Sequence, residues 1–172
     1  MRLVTLLFDP RGSVDRASFW SGLLQLTVVS VMVYLGLTGV EGTVSLAALP
    51  LIGETFVASL VAGGAYGADD AGVVFVASLA LLAARLYATA CLMLKRARDA
   101  GRGSGAVVVF GVSSLLVHVL AGLWGYSLQG EGMAVIVPMV FDLAVTGVLA
   151  VAFVAWLGAL RSSSFTRRVV AG

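Results

Sequence analysis

Three side chains able to carry charge near neutral pH stand inside long apolar stretches of this chain: Arg85, His118 and Asp142. Glu54 stands in a fourth, more broken apolar stretch. Ionisable groups in such surroundings are costly unless paired, so each is a pairing or functional candidate. Two kinds of chemistry fit these residue types. Arg85 can be held in an ion pair by Asp142 or Glu54, or the three can line a path for ions or small solutes. The plainer alternative for Arg85 is snorkelling or bonding to backbone carbonyls. His118 is expected as an interhelical hydrogen-bond partner, because no His, Cys or carboxylate stands three or four residues from it as a fellow metal ligand.

Helix rise gives each group a depth. Arg85 lies roughly 15 Å from Lys95, His118 roughly 18 Å from Ala106, and Asp142 roughly 28 Å from Arg161. Arg85 and His118 are thus expected to share a level, with Asp142 near the outer surface. Cys91 reads as a small packing residue that stays reduced. No Gly-x-Ser-x-Gly, His-Glu-x-x-His or paired-carboxylate arrangement occurs, so no catalytic, cofactor or metal residue is assigned and a non-enzymatic protein is expected. Gly101-Arg102-Gly103-Ser104-Gly105 lacks phosphate-loop spacing and reads as a flexible turn between two helices.

The elements that must position these groups follow from composition. Of 172 residues, 60% are hydrophobic and 12% charged, with 21 glycines and a single cysteine. Soluble domains carry about 25% charged residues, so a soluble globule, a disordered chain, a disulfide-stapled fold and a nucleic-acid binder are all excluded. The surrounding medium is lipid.

A bilayer core needs about 20 apolar residues per helix. Four stretches suffice: 17–40, 73–94, 106–127 and 134–160. Pro50, Gly53 and Glu54 interrupt a fifth, Thr43–Tyr66. Ten of the eleven basic residues precede the first span, lie between the second and third, or follow the fourth. The positive-inside rule makes that side cytoplasmic, with both termini inside. A fifth crossing would carry the basic 95–102 segment outside, so Thr43–Tyr66 is expected to lie on the membrane or dip into it as an external interfacial or re-entrant helix. The fold expected is an all-α integral membrane bundle of four transmembrane helices in one domain, 1–172. No cleaved secretory signal is expected; the first span inserts the chain. Met1–Phe8 reads as a short amphipathic element at the inner interface, and Asp9–Gly12 as a turn. The basic tail 161–172, with Arg167 and Arg168, is expected on anionic headgroups.

Two motifs lie on the cytoplasmic side. Phe8-Asp9-Pro10-Arg11-Gly12 leads to Arg16, Phe19 and Trp20 at the mouth of the first span. Arg16 is placed to reach headgroups, and Phe19 and Trp20 to anchor the interface. Lys95-Arg96-Ala97-Arg98-Asp99-Ala100-Gly101-Arg102 follows the second span. Asp99 can pair with Arg16 or Arg96, and Arg96, Arg98 and Arg102 can meet lipid phosphates. Together the motifs resemble the bacterial inner-membrane family filed as domain of unknown function 805, the YhaH-like proteins. Phe8, Arg11, Gly12, Arg16, Phe19 and Trp20 match its first motif, and Arg96, Asp99, Gly101 and Arg102 its second. Ser13, Ala97, Arg98 and the order Gly103-Ser104 depart from it, as does the long external segment. The resemblance implies a four-span bacterial inner-membrane protein and no particular activity.

Small residues mark surfaces for close helix approach: Ala83-Ala84 with Ala88, Gly111, Ala121 with Gly125, and Gly147 with Ala150, Ala155 and Ala159. The function expected is an accessory, assembly or scaffold subunit of a larger membrane complex, partnered by another membrane protein or a second copy. The competing expectation is an oligomeric transporter or channel using Arg85, His118 and Asp142, although no inverted repeat is visible.

Overall fold

The computed structural model describes residues 3–39, 42–62, 69–128 and 131–162, and every regular element among them is helical. Helix α1 covers Leu3–Phe8, α2 covers Arg16–Thr38, and α3 covers Gly42–Ser45 before a 3-10 turn at Leu46–Ala48. Then come α4 (Ile52–Ala62), α5 (Asp69–Asp99) and α6 (Gly105–Ser127). A 3-10 turn at Gly132–Val135 leads into α7 (Ile136–Ala159). Helices α2, α5, α6 and α7 are long and apolar enough to cross a membrane. The protein is an all-α membrane bundle. The basic tail beyond Ser162, with Arg167 and Arg168, lies outside the described residues.

Local sequence explains where the helices start and stop. The Asp15 carboxylate accepts from the Ser18 backbone N–H at 2.7 Å and caps α2. That hydrogen bond holds the Asp15 carboxyl below its ordinary value of 3.8. At the far end of α5, Gly101 adopts φ +69°, with Arg102 N–H bonded to the Ala97 carbonyl and Gly101 N–H to that of Arg98. This is a Schellman closure, and only glycine takes that backbone conformation freely. Residues 95–99, expected in a loop, therefore belong to α5. The helix is 31 residues and roughly 46 Å long, so it outreaches the hydrocarbon core.

The spanning helices meet most closely at one end, where α1 and the α5–α6 turn also lie. Phe19, Leu92, Ala97, Val107 and Leu157 form the core there. Phe19 is fully buried among Leu6 and Leu7 of α1 and Ala88 and Leu92 of α5, so it packs the bundle instead of anchoring the interface. Trp20 is half-exposed and lies so close to Gly158 that any side chain at 158 would strike its ring. A Cβ on Gly22 would lie 2.8 Å from Leu92 Cδ2. Helices α6 and α7 pack as a pair, with Phe110 stacked on Phe153 at 4.4 Å and Trp124 edge-on to Phe141 at 5.8 Å.

Between α2 and α5 the chain turns back into the bundle. Ser45, Ala47 and Ala48 are buried, and the 3-10 turn they enter packs on α2 and α5. Helix α4 then packs on α5, α6 and α7. The reversal is a γ-turn: Ile52 N–H bonds the Pro50 carbonyl at 2.8 Å around Leu51, which is held at φ +67°. Gly53 N–H bonds the Leu49 carbonyl at 2.9 Å, and a Cβ at 53 would collide with the Ala47 backbone. Leu51 Cδ1 lies 3.7 Å from where a Gly147 Cβ would be, twelve residues before the end of α7. The tip therefore reaches mid-depth. The segment is a re-entrant hairpin, not an interfacial helix.

Candidate functional site

Two clusters gather the polar side chains, one at the basic end and one at mid-depth. At the basic end, consecutive cations of α5 tie down three other segments. Lys95 Nζ donates to the Thr5 and Leu6 carbonyls of α1 at 2.7 and 2.9 Å. Arg96 donates through Nε to the Leu157 carbonyl at 3.3 Å and through Nη2 to that of Leu160, at the C-terminal end of α7. Its Nη1 pairs with Asp99, which also accepts from the Ser162 hydroxyl. Arg98 donates to the Pro10 and Gly12 carbonyls. The orphan carbonyls of a helix end are natural acceptors for cations.

These contacts correct one expectation and decide another between its two alternatives. Arg96 is fully buried, so it does not meet headgroups: the end of α7 covers it and uses its donors. Asp99 pairs with Arg96 and not with Arg16. Arg16, Arg98 and Arg102 are exposed.

At mid-depth, Arg85 Nη2 stands 2.7 Å from Glu54 Oε2, with the two side chains 8% and 17% exposed. The contact is close but misaligned, and neither atom completes a hydrogen bond. On the other side of α4, His118 Nδ1 lies 2.8 Å from Asp142 Oδ2. Asp142 is 2% exposed, its Oδ1 has no partner, and the Thr146 hydroxyl donates to its backbone carbonyl at 2.6 Å. The four residues singled out by type thus come together as two separate pairs.

Asp142 is not Arg85's partner. The α6–α7 stacking register sets it against His118, 17 residues and roughly 25 Å from the end of α7 at Ala159, close to the depth expected. Glu54 takes Arg85 because the hairpin carries it down. Among the described residues, no group of three His, Cys, Asp or Glu side chains can hold a metal ion. Cys91 is buried with a free thiol.

Sequence reasoning passed over Thr55 and Ser78, which are buried. A signal existed: Ser78 precedes Arg85 by seven residues, two helical turns on one face. It also passed over Gly22 and Gly158, the glycines that other helices crowd most. Ala83, Ala84 and Gly111, read as packing surfaces, are exposed. No family model, curated protein or solved structure matches this chain.

Proposed function

We infer that this is a small, non-catalytic protein of the bacterial inner membrane, akin to the YhaH-like family, serving as an accessory, assembly or scaffold subunit of a larger membrane complex. The observation that supports this reading is a contrast in how side chains are employed. Lys95, Arg96 and Arg98 at the basic end are taken up by the chain's own carbonyls, whereas large apolar side chains of α6 and α7 face outward without protein cover. Such faces suit lipid and a neighbouring helix alike. The distribution of basic residues supports cytoplasmic termini. Exposed Arg16 and Arg102 fit anionic headgroups at that side. Purification of the tagged chain from its native membrane in mild detergent, with mass spectrometry of co-purifying proteins, tests the reading. A stoichiometric partner supports it; a homo-oligomer carrying only lipid counts against it.

One observation favours the transport reading as a second. Irregular backbone at membrane depth is tolerated where protein buries it or where it lines a cavity, and the Leu51 reversal brings Glu54 to Arg85 at that depth. Solute-dependent flux in proteoliposomes, lost in Arg85→Leu with the protein still folded, would place this reading first.

A further inference from the structure

Gln25 is the one carboxamide that the sequence sets inside a spanning helix: the chain has no asparagine, and its other glutamine is Gln129. It lies nine residues beyond Arg16 in α2, roughly 13 Å along the axis. About 20 of the 23 residues of α2 are needed to cross hydrocarbon, so Gln25 lies below the headgroups. Its side chain is exposed. Nε2 donates to Ser21 Oγ at 3.2 Å, one turn back in the same helix, and this is its only hydrogen bond among the described residues. One N–H and the Oε1 acceptor are left unused, and lipid tails can serve neither. Thr27 and Thr38 of the same helix avoid that cost by donating to the carbonyls of Leu23 and Tyr34. The amide oxygen has no such outlet, because the N–H groups of a helix interior are already bonded.

The face around Gln25 has a defined pattern. Ser21, Gln25, Val28, Met32 and Leu35 recur at alternating four- and three-residue steps, and all five are exposed. That is the a/d spacing on which two helices pack side by side, with Gln25 at an a position. Gly36 flanks the outer end of the seam with nothing within 4 Å of where a Cβ would stand, so a second backbone can come close there.

We propose that this face binds a second copy of the chain, α2 against α2 in parallel, with the two Gln25 side chains hydrogen-bonded to each other. Self-complementarity selects the partner. A primary amide is donor and acceptor at once, so another primary amide at the same depth matches it. Copies of one chain insert with one orientation, set by their basic residues. A two-fold axis along the membrane normal therefore brings Gln25 to Gln25, as a polar a position fixes register in a coiled coil. The large exposed side chains along α6 and α7 are apolar or aromatic, and lipid suits them. Those faces stay free for a neighbouring subunit, so the pairing is independent of the function proposed above. A dimer with a further stoichiometric partner satisfies both, whereas a dimer with lipid only keeps the pairing and counts against the subunit reading.

The test mixes donor- and acceptor-labelled full chains in phosphatidylcholine liposomes and reads energy transfer over a series of protein-to-lipid ratios. Saturable transfer, abolished by excess unlabelled chain, is expected. Gln25→Leu should move its midpoint to about tenfold higher protein density, and Leu115→Ala on the exposed face of α6 should leave it in place. Oxidation should link copies through Val28→Cys and not through Val112→Cys, with Cys91→Ala in both. An amide that stays bonded within its own helix gives only random proximity at every density, and that result overturns the proposal. So does a midpoint that Gln25→Leu leaves unchanged, or linkage through Val112→Cys and not Val28→Cys. The linkage pattern, read on chains that keep Gln25, decides even where Gln25→Leu fails to fold.

Discussion

Arg85 and Arg96 are buried on the same helix, eleven residues apart, yet they are served very differently. Arg96 spends donors on two carbonyls at the end of α7, on Asp99 and on Ser162. Arg85 has one misaligned contact with Glu54, and its Nε has no partner. Burial alone therefore does not describe how a charge is held. Saturation separates the two, because an unpaired buried donor costs about 1–3 kcal/mol and Arg85 Nε is one.

The comparison is broken most directly at Arg96. Arg96→Ala removes the donors that close α7 and leaves Asp99 without its cation, a loss of about 3–5 kcal/mol. Thermal unfolding in detergent should show a larger drop for it than for any single replacement at Glu54, Gly53 or Asp15. A melt equal to the parent's would mean that the contacts with α7 carry no stability. Replacing both Arg96 and Asp99 by Leu should not restore the parent's stability, since the carbonyls of Leu157 and Leu160 still lack their donor.

Arg85 should behave in the opposite way. Glu54→Leu alone strands the guanidinium and costs about 3 kcal/mol, whereas the double replacement with Arg85→Leu should return close to the parent, as apolar substitution of a buried pair often does. A double-mutant cycle from melting curves measures this. Failure of the double variant to recover would show that the pair, like the Arg96 cluster, is integral to the fold. The hairpin that delivers Glu54 provides a smaller effect. Gly53→Ala drives a methyl into the Ala47 backbone and should cost about 1–3 kcal/mol in the same melts.

The difference between the two arginines was out of reach of the sequence for a physical reason. Span number and helical class follow from hydropathy, a quantity summed along the chain, and were legible. Saturation depends on where remote segments end. Arg96 is satisfied by carbonyls more than sixty residues away, so a basic run after a span read as a headgroup contact. The depth of Thr43–Tyr66 was undecided because its composition suits an interfacial helix and a re-entrant one equally. The deciding feature is Leu51 at φ +67°, and leucine advertises no such turn. Pairing at Glu54 and His118 was open by residue type, and the partners were settled only by the hairpin's depth and the α6–α7 register.

Asp15 supplies the smallest effect and a useful contrast with both arginines. It is an exposed charge that is nonetheless satisfied, by the Ser18 N–H it caps. Asp15→Ala should cost about 1 kcal/mol, far less than either buried arginine pair, because solvent remains the alternative partner for the freed N–H. The pH dependence has a definite sign. A carboxyl held below its ordinary value of 3.8 contributes its full stabilisation above that value and loses it as pH falls through the lowered one. Melting temperatures of the parent and Asp15→Asn, which keeps an acceptor but no charge, should therefore run parallel near neutral pH. They should converge only in the acid range below the ordinary value. Convergence at a higher pH would mean that Asp15 is not held by its cap, and that exposure, not saturation, sets how strongly a charge on this protein is bound.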